Sequence, residues 1–345
     1  MIANIPPATN PIDDGSIFDT AAEAEIRELL VINNADHGQR LDRFLAQQVS
    51  EFSRSHLQQL IAEGLLLRNG QPCTKAATRL QVGDRLALTL RDTAQSNAFV
   101  PQDIAIDVVH ADAHLLVINK PAGLVVHPAP GNWSGTLLNA LLHHYPESAQ
   151  LPRGGIVHRL DKDTSGLMVV GRTRSACDAL VQQIAARSVQ REYWALAHGH
   201  WRHPAGQPVR VEAAIGRDPR NRLRMAVVDL QRQPGKEART DFTLLGNSIA
   251  AGTPACWVHA KLHTGRTHQI RVHMQHLGHP LLADATYGGA PAWGLQRQAL
   301  HAFRLSLQHP TTGQTLQCEA ALPPDLQSAI TAMGLAAPPT HAALD

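Results

Sequence analysis

The chain is poor in aromatic residues and in cysteines, and each shortage excludes something. Aromatic side chains make up only 4% of the 345 residues, so aliphatic side chains must supply most of the core. The four cysteines, at positions 73, 177, 256 and 318, form no C-x-x-C pair, which excludes a zinc ribbon or a thioredoxin-like motif. Scattered single thiols favour a reducing compartment over a disulfide framework.

Features of membrane insertion and export are missing as well. No apolar run approaches the ~20 residues needed to span a bilayer. The first residues, MIANIPPATNPIDDG, lack the basic flank and the apolar run of a signal peptide. The sequence therefore predicts a soluble, cytoplasmic protein with no membrane partner.

Several motifs of cofactor-dependent or metal-dependent chemistry are absent. The chain contains neither G-x-x-x-x-G-K-[ST] nor G-x-G-x-x-G, so nucleotide hydrolysis and hydride transfer have no support, and no G-x-S-x-G elbow occurs. Six histidines crowd between positions 259 and 279, but no H-E-x-x-H accompanies them, and two nearby arginines would repel a divalent cation. We predict that the protein uses no metal and no cofactor.

The charge is unevenly distributed along the chain. Residues 1–38 hold seven acidic side chains and one basic one, whereas the remainder holds 30 basic and 22 acidic residues. An acidic tail on a basic body favours a polyanionic partner for the body. An ordinary solvated surface is the alternative, and charge alone does not decide between the two.

Composition and pattern divide the chain into five segments. We predict an acidic disordered leader, a small helix-and-strand domain, a polar linker, a large strand-rich domain and a flexible tail. These segments span residues 1–37, 38–91, 92–103, 104–333 and 334–345.

The small domain has the pattern of two helices followed by short strands. Apolar residues recur at helical spacing after Gln39, and a capping box at positions 55–58 predicts a second helix that Gly64 can end. Asn69-Gly70 predicts a tight turn between short strands. The order and spacing resemble the S4-type RNA-binding domain, although a small accessory domain with solvated arginines would share them. The resemblance implies RNA contacts, which we assign to Arg40, Arg43, Arg54, Lys75 and Arg79.

Strands outnumber helices in the large domain. Short β-rich runs, GLVVH (123–127) and GIVHRL (155–160) among them, alternate with short connections, and amphipathic helices are predicted at about 136–144 and 175–186. This pattern predicts an α+β fold built on a mainly antiparallel sheet with flanking helices.

Ionisable residues are concentrated in the segment GIVHRLDKDTSGLMVVG (155–171). Asp161 is predicted to lie at the end of a buried strand, where a rigid scaffold can hold a catalytic group. Residues 163–166 are predicted to form an ordinary turn into the next strand.

Five motifs, in order, resemble the RluA-type pseudouridine synthases, which isomerise uridine in RNA. The motifs are HLLVINKPAGLVVHP (114–128), HRLDKDTSG (158–166), REYWALAHG (191–199), LHTGRTHQIRVHMQHLGHPLLADATYGG (262–289) and RQALHAFRLSLQHP (297–310). The resemblance implies that Asp161 is the catalytic carboxylate, that Tyr193 packs on the uracil and that Arg266 pairs with the carboxylate.

The same resemblance implies further roles in substrate binding. Arg159 would fill the space that a flipped nucleotide leaves, and Ile270 would lie under the base. His158 and Leu160 would shape the backbone. The physics agrees, because a base inside a stack must be flipped out before it can react, and isomerisation needs no redox cofactor.

The sequence is closest to a subgroup that modifies large-subunit (23S) ribosomal RNA in the helix 69 stem-loop. The expected partner is therefore ribosomal RNA or a pre-ribosomal large-subunit particle, bound by a monomer. The alternatives are a synthase acting on transfer RNA or on another ribosomal site, and a non-catalytic RNA-binding assembly factor.

The segment 216–240 is basic and is interrupted by glycine and proline. We predict that it is an RNA-contacting loop that uses Arg220, Arg222 and Arg224. An exposed hairpin with solvated arginines is an equally good interpretation.

Overall fold

A computed structural model describes residues 25–30, 35–49, 54–90, 96–129, 131–221 and 224–336. The chain divides into two compact units, one up to residue 95 and one from residue 96. Most of the predicted leader, most of the predicted tail and Arg222 lie outside the described residues. No helix within the described ranges is long and apolar enough to cross a membrane.

The first unit packs two helices on a small antiparallel sheet. Its helices are α1 (Leu41–Gln48) and α2 (Arg54–Ala62), and its strands are β1 (Glu25–Leu30), β2 (Leu66–Arg68), β3 (Gln71–Pro72) and β4 (Arg85–Leu90). The strand order is β1-β4-β2-β3. Apolar side chains of both helices are fully buried against β2 and β4, so this unit has a hydrophobic core of its own.

Glycine and asparagine act in this unit as the sequence predicts. Asn69 and Gly70 have φ values of 52° and 79°, so they make the tight turn between β2 and β3. Gly64, at φ 77°, follows the end of α2.

Two predictions for this unit are wrong. Residues 25–30, assigned to the disordered leader, form β1 and pair with β4 from Glu25↔Leu90 to Leu30↔Arg85. Composition could not show this, because the pairing satisfies a sheet edge that is built 55 residues later. The predicted start of α2 is wrong as well, because the helix begins at Arg54, one residue before the proposed cap position 55.

The second unit is built on a nine-stranded sheet with helices on both faces. Its strands are β5 (Val108–Ala111), β6 (Leu115–Lys120), β7 (Ser165–Gly171), β8 (Gln190–His198), β9 (Val209–Glu212), β10 (Ile215–Arg217), β11 (Met225–Val227), β12 (Arg239–Asn247), β13 (Ala255–Leu262), β14 (Leu300–Gln308) and β15 (Thr315–Glu319). Its helices are α3 (Leu137–His144), α4 (Arg174–Ala185), α5 (Gln269–His276) and α6 (Pro324–Ala332).

The sheet order is β5-β6-β7-β14-β8-β13-β12-β9, and β15 pairs with β14. Among the strand pairs of the described residues, β7 with β14 is parallel and the others are antiparallel. The predicted α+β fold with a mainly antiparallel sheet is confirmed, and α3 and α4 lie where the sequence predicts helices.

Both faces of this sheet are buried, which explains why most side chains of its central strands are apolar. On β8, Tyr193 and Ala195 belong to the core that α3 and α5 cover. Trp194 and Leu196 belong to the opposite core, which α6 covers. Alternate side chains of a strand point to opposite faces, so one strand serves both layers.

Two of the predicted strands of this unit are loops. The run GIVHRL makes a single bridge, Ile156↔Val170, and GLVVH makes a single bridge from Val125. The reason for the first is backbone geometry: Gly154 and Gly155 have φ values of 65° and 83°, which bend the chain before any ladder can form.

Asp161 therefore does not end a strand. It opens a turn in which the Thr164 N–H donates to the Asp161 carbonyl oxygen at 3.1 Å, and β7 follows at Ser165. The predicted strand-end position is wrong. Residues 161–165, which we call the catalytic turn because they begin with the predicted catalytic residue, still run directly into a buried strand.

Candidate active site

One pocket of the second unit, about 220 Å³ in volume, gathers the predicted catalytic and substrate-binding residues. Its walls come from the loop before β7, from β8 and from the segment that leads into α5. The predicted residues that line it are His158, Arg159, Leu160, Asp161, Tyr193, Arg266 and Ile270. Residues more than a hundred positions apart thus meet in one cavity.

Asp161 is paired with a cation, as the sequence predicts, but that cation is not the predicted one and is Arg271. The Arg271 Nη1 lies 2.9 Å from the Asp161 Oδ2, and the His268 Nε2 lies 3.8 Å from the Asp161 Oδ1. The rest of the Arg271 fork binds Asp284, with Nε–Oδ2 and Nη2–Oδ1 distances both 2.8 Å. Burial alone would lower the pKa of Arg271, but the hydrogen bonds and charges of Asp284 and Asp161 raise it above its usual value. Arg271 therefore stays a cation that orients the carboxylate of Asp161.

The predicted pairing of Arg266 with Asp161 is wrong for this structure. The Arg266 Nε instead donates to the Glu237 carbonyl oxygen at 2.9 Å. Arg266 precedes α5, whereas Arg271 lies within its first turn and is buried beside the catalytic turn. Both arginines stand in the same motif, and only the start of α5, which the sequence analysis did not predict, separates their roles.

Lys120 holds the catalytic turn from one side. This side chain is 1% exposed, and its Nζ donates to the carbonyl oxygens of Pro121, Leu124 and Lys162 at 2.7, 2.9 and 3.0 Å. Burial lowers the pKa of Lys120 to about 8. Because one acceptor belongs to the residue after Asp161, Lys120 fixes the backbone that carries the carboxylate.

Residues just before β14 and at its start hold the turn from the other side. Each of them bonds the turn at 2.9 to 3.0 Å, and the Nη2 of Arg297 also donates to Ser165 Oγ at 3.3 Å. The contacts are Arg297 Nη1 to the Asp163 carbonyl oxygen, Gln298 Nε2 to Thr164 Oγ1, and His301 Nδ1 with Ser165 Oγ. The catalytic turn is thus bonded at four successive residues, which makes it rigid despite its loop conformation.

Tyr193 lies in the middle of β8 and faces the pocket. Its cross-strand neighbours are Ala260 and Ala302, so no bulky side chain flanks the ring along the sheet. Burial raises the pKa of the Tyr193 phenol. The side chain is therefore a neutral aromatic surface with a hydroxyl group at neutral pH.

The remaining predicted residues differ in burial. Leu160 and Ile270 are buried in the core below the pocket, and Arg159 is exposed at it. Burial and the charge of Arg191 lower the pKa of His158 to about 3. The neutral His158 ring accepts a hydrogen bond from the Val169 N–H through Nε2 at 3.0 Å, which ties the loop to β7.

Two side chains near the carboxylate escaped the sequence analysis. His268 has a left-handed backbone (φ 56°, ψ 23°), and its Nδ1 lies 2.8 Å from the Tyr287 hydroxyl oxygen. The guanidinium of Arg271 lies 5.0 Å from the centre of the Tyr287 ring. A left-handed conformation at a residue other than glycine is strained and concentrates at functional sites, a signal that sequence alone does not carry.

Arg191 also lines the pocket and was not predicted. It is 8% exposed, and its Nε is buried without a hydrogen-bond partner. Only its spacing of two residues from Tyr193, which places both on one face of β8, could have indicated it.

The predicted RNA-binding residues of the first unit fall into two groups. Arg40 and Arg54 both bind Asp42, at 3.1 and 2.8 Å. The Arg40 hydrogen bond, opposed by burial, holds the pKa of Asp42 well below its usual range. The others, whose side chains are exposed, are Arg43, Lys75 and Arg79.

The segment 216–240 includes a short hairpin, β10 and β11, in line with one of the two interpretations of the sequence. Arg220 is exposed. Arg224 is paired with Asp218 at 3.0 Å, and its guanidinium lies 5.2 Å from the centre of the Tyr287 ring. Arg224 is therefore engaged within the protein, and Arg222 lies outside the described residues.

One group among the described residues has the ligand spacing of a metal site. Asp103, His143 and His144 have nitrogen or oxygen atoms within 4.8 Å of one another. All three are exposed, and the His144 Nε2 already lies 2.9 Å from the Ile104 carbonyl oxygen. None of them lines the pocket of Asp161.

The fold and the pocket define a class of protein: an enzyme whose pocket holds one carboxylate and one tyrosine, in a domain that follows a small helix-and-strand domain along the chain. A family model described as RNA pseudouridylate synthase matches residues 114–276, and one described as S4 domain matches residues 39–86.

Curated relatives extend the likeness to most of the chain. Proteins named ribosomal large subunit pseudouridine synthase D are 44% identical in Neisseria meningitidis serogroup B, over 94% of this chain and 86% of theirs, and 41% identical in Escherichia coli K12, over 86% and 91%. A solved structure titled human RNA pseudouridylate synthase domain containing 1 is 28% identical with a TM-score of 0.52, and the match covers 70% of this chain and 90% of that one. The chain belongs to the RluA-type pseudouridine synthases, which are RNA isomerases, and carries an S4 domain.

Proposed function

We propose that this enzyme converts uridine to pseudouridine in large-subunit (23S) ribosomal RNA, at the helix 69 stem-loop. The substrate rests on relatives that are 41% and 44% identical over most of the chain and whose names specify the large ribosomal subunit. The chemistry rests on one observation: the carboxylate of Asp161 lies in a pocket that Arg271 and Tyr193 complete.

The pocket suits a nucleotide that has left its stack. Flipping a base out costs a few kcal/mol, which contacts in the pocket must offset. The Tyr193 ring and the Ile270 side chain offer the uracil an aromatic and an aliphatic surface. Arg159, exposed at the pocket, is the side chain that would enter the vacated position in the RNA.

The reaction then exchanges one bond of the ribose for another. The C1′–N1 bond breaks and the uracil departs with the electron pair. The uracil turns, its C5 forms a bond to C1′, C5 loses its proton and N1 gains one. Atoms and charge balance without any redox change.

Asp161 would assist bond cleavage by one of two routes. Its carboxylate attacks C1′ as a nucleophile, or it removes the C2′ proton so that a glycal forms. Arg271 keeps the carboxylate charge compensated and oriented in both routes. Deuterium at C2′ separates the routes, because a primary isotope effect on the single-turnover rate is expected for proton removal alone.

Tyr193 serves this reaction as a neutral phenol. Because burial raises its pKa, a phenolate base is not present at neutral pH. The ring packs against the uracil and limits where C5 can go after cleavage. Proton transfer at C5 through its hydroxyl would need a second acceptor, for which Asp161 is the carboxylate that lines the pocket.

The S4 domain would position the RNA through its phosphates. Arg43, Lys75 and Arg79 are exposed, so their charges are available to a polyanion. Replacing all three by Gln should lower the slope of log affinity against log salt by about 2 to 3, at roughly 0.7–0.9 per phosphate contact. Replacing Arg40 and Arg54 should change the slope less, because Asp42 already neutralises them in part.

The segment 216–240 would add contacts through Arg220 and Arg222, while Arg224 acts within the protein. Joint substitution of Arg220, Arg222 and Arg224 should weaken RNA binding and reduce its salt dependence. Unchanged affinity and slope would remove this segment from the proposal.

We also propose that the enzyme acts as a monomer in the cytoplasm, on free ribosomal RNA or on a pre-ribosomal particle. Light scattering of the purified protein tests whether it is a monomer. Modification assays on naked RNA and on isolated large-subunit precursors test which of these is the substrate.

The decisive experiment maps pseudouridine in ribosomal and transfer RNA from cells that lack the gene. The cells are complemented with the wild type or with Asp161→Asn. The proposal expects helix 69 sites to be lost and restored by the wild type alone. Loss from transfer RNA alone would leave the chemistry and overturn the substrate, whereas restoration by Asp161→Asn would overturn the role of Asp161.

A further inference from the structure

Arg191 is an unpaired cation in the wall of the active-site pocket. Its side chain is 8% exposed, and its Nε is buried without a hydrogen-bond partner. No carboxylate of the described residues lies within ion-pair distance of it, in contrast to Arg271, which has two carboxylate partners. A buried charge normally has a partner, because leaving it without one costs several kcal/mol.

The surroundings of Arg191 form a built site. The alternation of β8 places Arg191 on the same face as Tyr193, one pleat away, and both line the pocket. The segment before α5 passes directly over the guanidinium: a Cβ on Gly265 would lie 2.6 Å from the Arg191 Nη1. The backbone at Gly265 thus lies close to the guanidinium of a residue that lines the cavity.

The pocket that Arg191 lines contains one carboxylate, Asp161, and that carboxylate is already paired with Arg271. Val157, Ile184 and Leu262 line the cavity with it, and Arg266 adds a second positive charge. This chemistry suits a permanent, singly charged anion with several acceptor oxygens. A guanidinium fork matches a phosphodiester in this way, and uracil itself is neutral when it enters.

We propose that Arg191 binds a backbone phosphate next to the flipped uridine and thereby fixes how deeply the nucleotide enters the pocket. The proposal rests on the proposed function, since it takes RNA as the substrate. The contact forms on binding and persists through the reaction, so it contributes to substrate binding more than to the chemical step.

The test combines protein variants with uncharged linkages in the RNA. A synthetic helix 69 stem-loop is made in forms that each carry one methylphosphonate within two nucleotides of the target uridine. Dissociation constants and single-turnover rates are measured for the wild type, Arg191→Gln, Arg191→Lys and Arg174→Gln. Arg174 is exposed on α4 and paired with Asp178. Arg174→Gln therefore removes the same charge outside the pocket and serves as the control.

We expect one linkage to weaken wild-type binding roughly 10- to 100-fold, and Arg191→Gln to weaken binding of unmodified RNA by a similar factor. For Arg191→Gln, the methylphosphonate at that linkage should change the dissociation constant by no more than about 2-fold. Arg174→Gln should show the same loss of affinity at that linkage as the wild type. Arg191→Lys should be intermediate, because lysine keeps the charge and loses the fork.

If the loss of affinity from Arg191→Gln and the loss from the methylphosphonate multiply at every linkage, the proposal is overturned. A slower single-turnover rate of Arg191→Gln with unchanged affinity would overturn it as well and would place the guanidinium on the uracil instead. If Arg191→Gln does not fold, Arg191→Lys carries the same comparison. If the wild type binds but does not modify this RNA, the proposed function fails, while the binding data still decide for or against Arg191.

Discussion

His301 gives the second unit a dependence on pH that can be calculated. The side chain is 1% exposed and contacts Ser165 of the catalytic turn. Burial lowers the pKa of His301 from 6.5 to about 4. Below pH 6.5 His301 therefore binds a proton in the unfolded chain but not in the folded protein. Its contribution to the free energy of unfolding is fully present above pH 6.5 and is lost as pH falls toward 4.

The size of the effect follows from the interval of pH. Each pH unit in this window is worth about 1.4 kcal/mol for one proton. Lowering the pH from 7.5 to 5 should thus cost about 2 kcal/mol through His301 alone. His301→Asn removes the titrating group and keeps a polar side chain that can reach Ser165. The variant should be less stable than the wild type at pH 7.5 and should lose about 2 kcal/mol less on acidification.

Urea denaturation followed by tryptophan fluorescence measures this difference. All five tryptophans, at positions 133, 194, 201, 257 and 293, lie in the second unit, so the signal reports that unit. His203→Asn is the matched control, because His203 is exposed and solvated in both states. A loss on acidification as large in His301→Asn as in the wild type would refute the reasoning.

Five further substitutions, at four residues, test the site. Arg271→Lys keeps the charge but cannot bridge two carboxylates, so the single-turnover rate should fall about 10²- to 10³-fold, whereas Arg266→Lys should change it within about 3-fold. Tyr193→Leu should lower kcat/KM roughly 5- to 100-fold through lost stacking, and Tyr193→Phe, which keeps the ring, should lose less. Lys120→Met leaves buried carbonyl groups unpaired at roughly 1–3 kcal/mol each, so both Tm and the rate should drop, because the turn that carries Asp161 loosens. A Lys120→Met enzyme with wild-type rate would show that this anchoring does not matter for catalysis.

The residues of the pocket were predictable to the extent that short motifs carry them. Asp161 and Tyr193 stand in compact motifs, and the pocket unites them. The pairing of the carboxylate was not predictable in the same way, because Arg266 and Arg271 share one motif and only the start of α5 decides which of them turns inward. Arg191 was missed because the feature that distinguishes it is a buried Nε without a hydrogen-bond partner, and only the folded structure shows this.

The fold class followed from the density of apolar runs, but individual strands did not. GIVHRL has the composition of a strand, yet positive φ values at Gly154 and Gly155 turn it into a loop. Residues 25–30 belong to an acidic stretch of sequence, yet β4 offers them an edge to pair with. In both cases a neighbour far along the chain, or a local bend, outweighs composition.

The position of β14 has a consequence for synthesis on the ribosome. It lies between β7 and β8, although it is the next-to-last strand to be made. Until it emerges, the sheet exists as two separate halves with open edges, and open edges invite aggregation. The same strand and the residues just before it hold the catalytic turn, in which Ser165 meets a histidine 136 residues later. A nascent chain therefore carries the whole catalytic motif in its sequence long before it can possess an active site, and chaperones that shield β7 and β8 would act on this enzyme in that interval.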